Sequence, residues 1–218
     1  TDEGCPSDIS PEAVRRNPVL ATACVVETLR ASGDFAYVEK DYILEHQFAR
    51  KPDTVTVAPV VTRPNDPLFD LQWHFMNNGA GEGQSAGGAG FADFWDRQAV
   101  QGSLDVTVAV VDTGLQLDHP DIKNSPNVMP GWDMVSDPRM GNDGDGRDND
   151  ANDPGDMCDP DAPQAEDSYH GTHVAVTIGA AASNNGAGVA GGAWDVKLVP
   201  VRALGKCGGR LSDINDAI

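Results

Sequence analysis

The chain has no surplus of positive charge. It carries 15 Lys and Arg against 34 Asp and Glu, a formal net charge of -19 and a pI near 4.3. A nucleic-acid binder needs a basic footprint, so that class is excluded. Long apolar runs are also missing: the longest is the short stretch from Val106 to Val111. A membrane-spanning helix needs roughly 20 apolar residues, so no such span is expected. There is no CxxC pair, no zinc-ligand spacing and no internal repeat. The sequence starts at Thr1 without Met or signal peptide, so a targeting segment is either absent or removed before this numbering, and it stops at Ile218 within "LSDINDAI", which reads as a helix still in progress. The expectation is a piece of a longer chain. What is present suffices for a folded core, with 218 residues of which 39% are hydrophobic. Four cysteines, Cys5, Cys24, Cys158 and Cys207, in an acidic Gly- and Asp-rich chain point towards disulfides and secretion. Four unrelated thiols in a cytosolic protein is the alternative.

Residues Ser10–Ser32 open with a capping Ser and a Pro, hold apolar residues at helical spacing and stop at Gly33, which predicts a helix kinked or split at Pro18. Alternation over Phe35–Leu44 predicts a half-buried strand. Between Phe48 and Pro67 four prolines interrupt any helical period, marking a domain boundary. Downstream, helix and strand patterns alternate. "FADFWDRQA", "HGTHVAVTIGAAA" and "LSDINDAI" read as helices, and "VTVAVVDTG", "VMPGWDMV" and "VKLVPVRAL" as strands, so an α/β parallel sheet is expected.

In such sheets functional groups gather beyond the carboxyl ends of the strands, where Asp112 sits directly before Thr113-Gly114. Alone it could be a turn residue. His170, at the first turn of a Gly- and Ala-rich helix, supplies the partner a carboxylate at the lip of a core requires. A buried Asp holding one ring nitrogen of a His leaves the other to act as a general base.

"VAVVDTGLQLDHPD" and "HGTHVAVTIGA" resemble the Asp and His blocks of the subtilisin-like serine proteases, the subtilases, in that order. The likeness continues through "GVAGGAW", "VKLVPVRAL" and "LSDINDAI". Upstream, "ASGDFAYVEKDYIL" is similar to the end of the family's inhibitory propeptide, and "RPNDPLFDLQWHF" to the start of the mature enzyme. The resemblance implies a subtilisin-like parallel sheet flanked by helices, preceded by part of a small α+β ferredoxin-like propeptide. By it, residues 1–48 are propeptide, 49–64 a maturation linker and 65–218 the front of the catalytic domain. Asp112 becomes the orienting acid and His170 the general base of a Ser-His-Asp triad. The family's nucleophilic Ser, in a "GTS" block, and its oxyanion-hole Asn are expected downstream, so these 218 residues alone should not cleave peptide bonds. His173 reads as a hydrogen-bonded core histidine, with a metal site on His170 and His173 as the rival; no Glu lies between them as in zinc metalloproteases. Val176 occupies a position where subtilases usually place Gly. Its extra volume is expected to cost about 1–3 kcal/mol, so that Val176→Gly should raise stability or activity.

The same resemblance implies calcium bound by Asp66, Asp121 and Asn185, with carbonyls of Ala182, Ala187 and Val189. Independently, residues 142–167 hold ten acids and one Arg among Gly and Asn, an oxygen-rich loop that suits a second calcium at Asp143, Asp145, Asp148 and Asp150. A solvated acidic loop is the alternative. Cys158–Cys207 would bridge loops flanking the cleft, and Cys5–Cys24 would pair within the propeptide. "LGKCGGR" resembles the edge segment that pairs with an extended substrate, which assigns Leu204, Gly205, Gly208 and Gly209 to substrate binding; an ordinary turn is the alternative. The expected whole is a secreted, calcium-stabilised endopeptidase made as a zymogen. Its partners would be protein or peptide substrates and its own propeptide, with no nucleic acid, membrane or second subunit. The rivals are a catalytically dead pseudoprotease and a calcium-binding structural module.

Overall fold

A computed structural model of the chain describes residues 5, 10, 12, 16–35, 38, 43–44, 64–81, 84–97, 102–123, 125–159, 161, 166–179 and 185–218. The chain divides into two compact units, Thr1–Tyr42 and Ile43–Ile218.

In the first unit, α1 spans Pro18–Ser32. Asn17 caps it by accepting from the Leu20 amide at 3.2 Å, Pro18 takes the first turn where no amide partner is needed, and Gly33 ends it in the left-handed region at φ 73°. Glu12 and Arg16 are helical ahead of it, so Pro18 opens a separate helix. The Cys5–Cys24 disulfide fastens α1 to the N-terminal segment.

The second unit begins with β1, Ile43–Leu44. Of the strand expected over Phe35–Leu44, these two residues are extended and paired; Phe35 and Val38 belong to no element, and the rest lies outside the described residues. Two short pieces, β2 (Asn77–Asn78) and β3 (Gln84–Ser85), precede α2 (Phe91–Arg97). Phe69, Phe75, Met76, Trp95 and Ala190 form a buried aromatic cluster there, and the Trp95 indole donates to the Gly192 carbonyl at 3.1 Å. The central sheet comprises β4 (Thr107–Asp112), β5 (Trp132–Asp133) and β6 (Lys197–Arg202), all parallel in the order β4-β6-β5. Short helices α3 (Pro120–Lys123) and α4 (Pro138–Gly141) flank β5. Helix α5 (His170–Gly179) packs on β4 and β6, and β7 (Gly209–Arg210) leads into α6 (Leu211–Asp216).

The main core joins Val110, Leu115, Ile122, Ala175, Val176, Val196 and Leu198. Burying each such branched side chain contributes about 1.5–3 kcal/mol. The approach of α5 to the end of β4 depends on a missing side chain: a Cβ on Gly171 would stand 2.3 Å from the Gly114 carbonyl oxygen and 3.2 Å from Asp112 Cβ. The sequence of small residues therefore fixes how near the helix can bring His170 to the strand end.

Candidate active site

Asp112 is the last residue of β4, and its carbonyl accepts from the Ala203 amide at 2.8 Å and the Leu204 amide at 3.1 Å, so the strand end is fixed to the segment after β6. Its carboxylate accepts from the Thr113 amide at 2.7 Å. His170, the first residue of α5, places Nδ1 2.8 Å from both Asp112 carboxylate oxygens. The side chains are 22% and 11% exposed, so the pair is shielded from solvent on most sides, His170 less than Asp112. With Nδ1 committed to a carboxylate, proton transfer by this ring falls to Nε2.

The turn before α5 is held by hydroxyls. Tyr169 adopts φ 46°, a left-handed conformation uncommon for a residue with a side chain. Ser168 Oγ accepts from the His170 amide at 3.2 Å and donates to Asp156 Oδ2, while the Ser168 amide donates to Asp156 Oδ1 at 2.6 Å. On the other side, Thr113 Oγ1 accepts from the Gly171 amide at 2.9 Å and donates to Asp153 Oδ2 at 2.6 Å. Thr113, Asp153 and Asp156 are buried. Burial pushes the Asp153 carboxyl above its usual range, against the Thr113 hydroxyl and the Gly155 amide.

Arg202 stands in register with Asp112 on β6, fully buried, and pairs with both Asp133 and Asp143 while donating to the Gly141 carbonyl. Burial pushes the Asp133 carboxyl up to about 7, although the Val135 amide and Arg202 oppose it. Asp143 is held low: burial opposes this, but hydrogen bonds with Asp133 and Arg202 outweigh it. One guanidinium thus faces two carboxyls whose environments push them in opposite directions, Asp133 up and Asp143 down.

The residues expected from the sequence to bind substrate form a tight turn beside the pair. Gly205 and Gly208 make an antiparallel bridge, Leu204 hangs from Asp112, and Gly209 lies in β7, where Leu44 and Ile43 pair antiparallel with Gly209 and Arg210. Cys207, at φ 63°, is bonded to Cys158, tying this turn to the loop ahead of α5.

At the first position where calcium is expected from the sequence, Asp66 and Asp121 are buried and Asn185 links them, its amide donating to Asp66 Oδ1 at 3.1 Å and its Nδ2 to Asp121 Oδ1 at 3.3 Å. The Val189 amide donates to Asp121 Oδ2 at 3.2 Å, and the Ala187 amide to Asn185 Oδ1 at 2.7 Å. Gly188, at φ 51°, lies so close that a Cβ would be 1.8 Å from Asp121 Oδ2. Ala182 lies outside the described residues. This all-oxygen donor set of acids and an amide fits a hard cation. The second position differs: Asp143 engages Arg202, Asp148 accepts from the Asp150 amide at 2.8 Å, Asp150 from the Asn152 amide at 2.9 Å, and Asp145 donates its amide to Asp143. Much of this acidity caps the segment's own backbone turns. No group of three or more His, Cys, Asp or Glu is placed to hold a metal among the described residues.

His173 departs from expectation. It is exposed rather than in the core, because the helix face one turn on from His170 looks onto a cavity of about 280 Å³ lined by Leu68, Tyr169, Val176 and Val189 as well. Val176 itself is 4% exposed, with one side in the core and the other on that cavity, so its added volume has somewhere to go. Sequence reasoning missed Thr113, Asp153, Asp156, Ser168 and Arg202. The only sequence signal was an Asp-Pro-Gly-Asp turn inside an acidic run that has many such pairs.

A histidine held by a carboxylate thus stands at the carboxyl edge of a parallel sheet, an arrangement suited to general-base proton transfer. The Subtilase family model matches residues 103–218, and the chain belongs to that family. It is 39% identical over 218 residues to an extracellular protease of Xanthomonas campestris, covering 96% of this chain and 33% of that protein. It is 40% identical over 205 residues to an extracellular basic protease of Dichelobacter nodosus, covering 89% and 29%. A solved protease of Pseudoalteromonas arctica superposes with a TM-score of 0.60 at 46% identity, covering 72% of this chain and 43% of that one. The chain therefore spans about a third of the length of the curated relatives it matches. Among the described residues no helix is long and apolar enough to cross a membrane.

Proposed function

We propose that the complete protein is a secreted serine endopeptidase made as a zymogen, in which His170 takes the proton of a serine supplied by residues outside these 218 and Asp112 steadies the resulting imidazolium. The observation that carries this is the contact of His170 Nδ1 with both Asp112 carboxylate oxygens at 2.8 Å. The acyl-enzyme formed by the serine would then be released by water. Secretion is supported by relatives named extracellular proteases and by two disulfides. Autoinhibition by the N-terminal segment is supported by the β1–β7 pairing, because an extended substrate would add to an exposed edge in the same manner. Leu204, Gly205, Gly208 and Gly209 are the residues we assign to that edge. Asp66, Asp121 and Asn185, with carbonyls of Ala182, Ala187 and Val189, are the residues that would hold calcium. The ion would neutralise two buried carboxylates and clamp the segment at Asp66 to the domain.

The test is hydrolysis of casein by the complete protein, with labelling by a serine-directed organophosphonate. His170→Ala should abolish both; a variant that keeps its activity would sink the reading. A chelator should lower the melting temperature of the parent but have less effect on Asp121→Asn. Equal melts with and without chelator would remove the calcium assignment.

A further inference from the structure

The acidic segment does more than solvate a loop. Two of its acids, Asp153 and Asp156, flank Pro154-Gly155 and are 4% and 6% exposed, unlike most of their neighbours. A buried carboxylate is retained only where hydrogen bonds satisfy it, and each of these accepts from a hydroxyl that in turn accepts from an amide at the start of α5. The first two amides of a helix have no partner within it, so these hydroxyls decide where the helix begins. The Asp156 relay also spans the left-handed Tyr169, the residue directly before His170, a conformation that persists only when its surroundings hold it. The Thr113 relay reaches α5 from the residue directly after Asp112.

We propose that Asp153 and Asp156 are positioning residues that act through Thr113 Oγ1 and Ser168 Oγ to seat His170 against Asp112. The inference rests on the protease reading only for its kinetic consequence; the geometry of the His170–Asp112 pair is set whether or not a serine follows. Each relay fixes one side of the imidazole's anchor: Thr113 ties Gly171 to the Asp112 turn, and Ser168 ties the His170 amide to the Asp153-Asp156 turn. Gly155, between the two acids, donates to Asp153 Oδ1 at 2.9 Å, and its carbonyl accepts from Asn142 Nδ2 at 3.1 Å, so the turn is itself anchored.

The test uses the complete protein with ring-labelled histidine and compares Ser168→Ala and Thr113→Val with the hydroxyl-keeping Ser168→Thr and Thr113→Ser. Two readouts are taken: the NMR titration of the His170 ring, and kcat separately from KM on a peptide substrate. The hydroxyl-deleting variants should shift the His170 titration and lower kcat on the order of 10- to 100-fold, as a displacement near 1 Å does, with KM nearly unchanged. The hydroxyl-keeping variants should restore both. Ser168 is only part-buried, so Ser168→Ala removes no core volume and decides the Asp156 relay even if Thr113→Val fails to fold. A Ser168→Ala protein with an unshifted His170 titration and parental kcat would overturn the proposal. If the parent shows no turnover, the protease reading fails, and the His170 titration alone decides the positioning role.

Discussion

Val176→Gly measures how the core beneath the active helix is filled. The side chain is 4% exposed and packs with Val110, Leu115, Ile122, Ala175, Val196 and Leu198. Removing its isopropyl group forfeits about 0.8 kcal/mol per buried carbon, some 2.4 kcal/mol. Gly in place of Val inside α5 costs a further few tenths of a kcal/mol in helix propensity, roughly 0.3. The adjoining cavity would grow, which adds a further penalty wherever the neighbours do not collapse. The expected loss is about 3 kcal/mol, or a fall of roughly 6–12 °C in melting temperature for a domain of this size class. This sign is opposite to the one the sequence alone suggests, since a bulky residue at a usual Gly position reads as overpacking. Differential scanning calorimetry of parent and variant decides it. An unchanged or higher melting temperature would refute the packing argument and restore the overpacking one.

Replacing Cys158 and Cys207 by Ser opens a loop of 49 residues, which the chain-entropy account values at about 4 kcal/mol; the variant should melt earlier and show a raised KM, and an unchanged KM would mean the edge turn holds itself. Asp213 is buried and accepts from Arg147 and from the Ser136 amide and hydroxyl. Burial opposes these hydrogen bonds but does not outweigh them, so its carboxyl stays below the usual range. A lowered folded value means its stabilisation is in place above the ordinary carboxylate range and lost as pH falls through it. Asp213→Asn should therefore flatten the acid limb of the stability curve measured by urea melts at several pH values; an unaltered acid limb would discount the cluster.

What could be read from sequence was what repeats or alternates. The apolar run ending in Asp112, the small-residue helix behind His170 and the strand at Lys197–Arg202 carry their periodicity openly, and each forms where expected. Asp112 and His170 were legible because strand ends and helix starts converge in a parallel sheet. Asp153 and Asp156 were not, since burial distinguishes them from Asp145 and Asp150 and no pattern in the segment encodes burial. Arg202 lay hidden for the same reason: a cation at the end of an apolar strand reads as its exposed terminus, whereas here Asp133 and Asp143 draw it inward. His173 was misread because helical spacing gives its face but not what covers that face.

The pairing of Leu44 with Gly209 has a kinetic consequence. While both strands belong to one uncut chain, occupancy of the edge is a first-order matter, set by an effective concentration on the order of millimolar and indifferent to dilution. A break anywhere in residues 45–64 turns the same contact into a second-order encounter between separate molecules. From then on, dilution below the dissociation constant of the cut segment would itself release the edge, with no change in the strength of any contact.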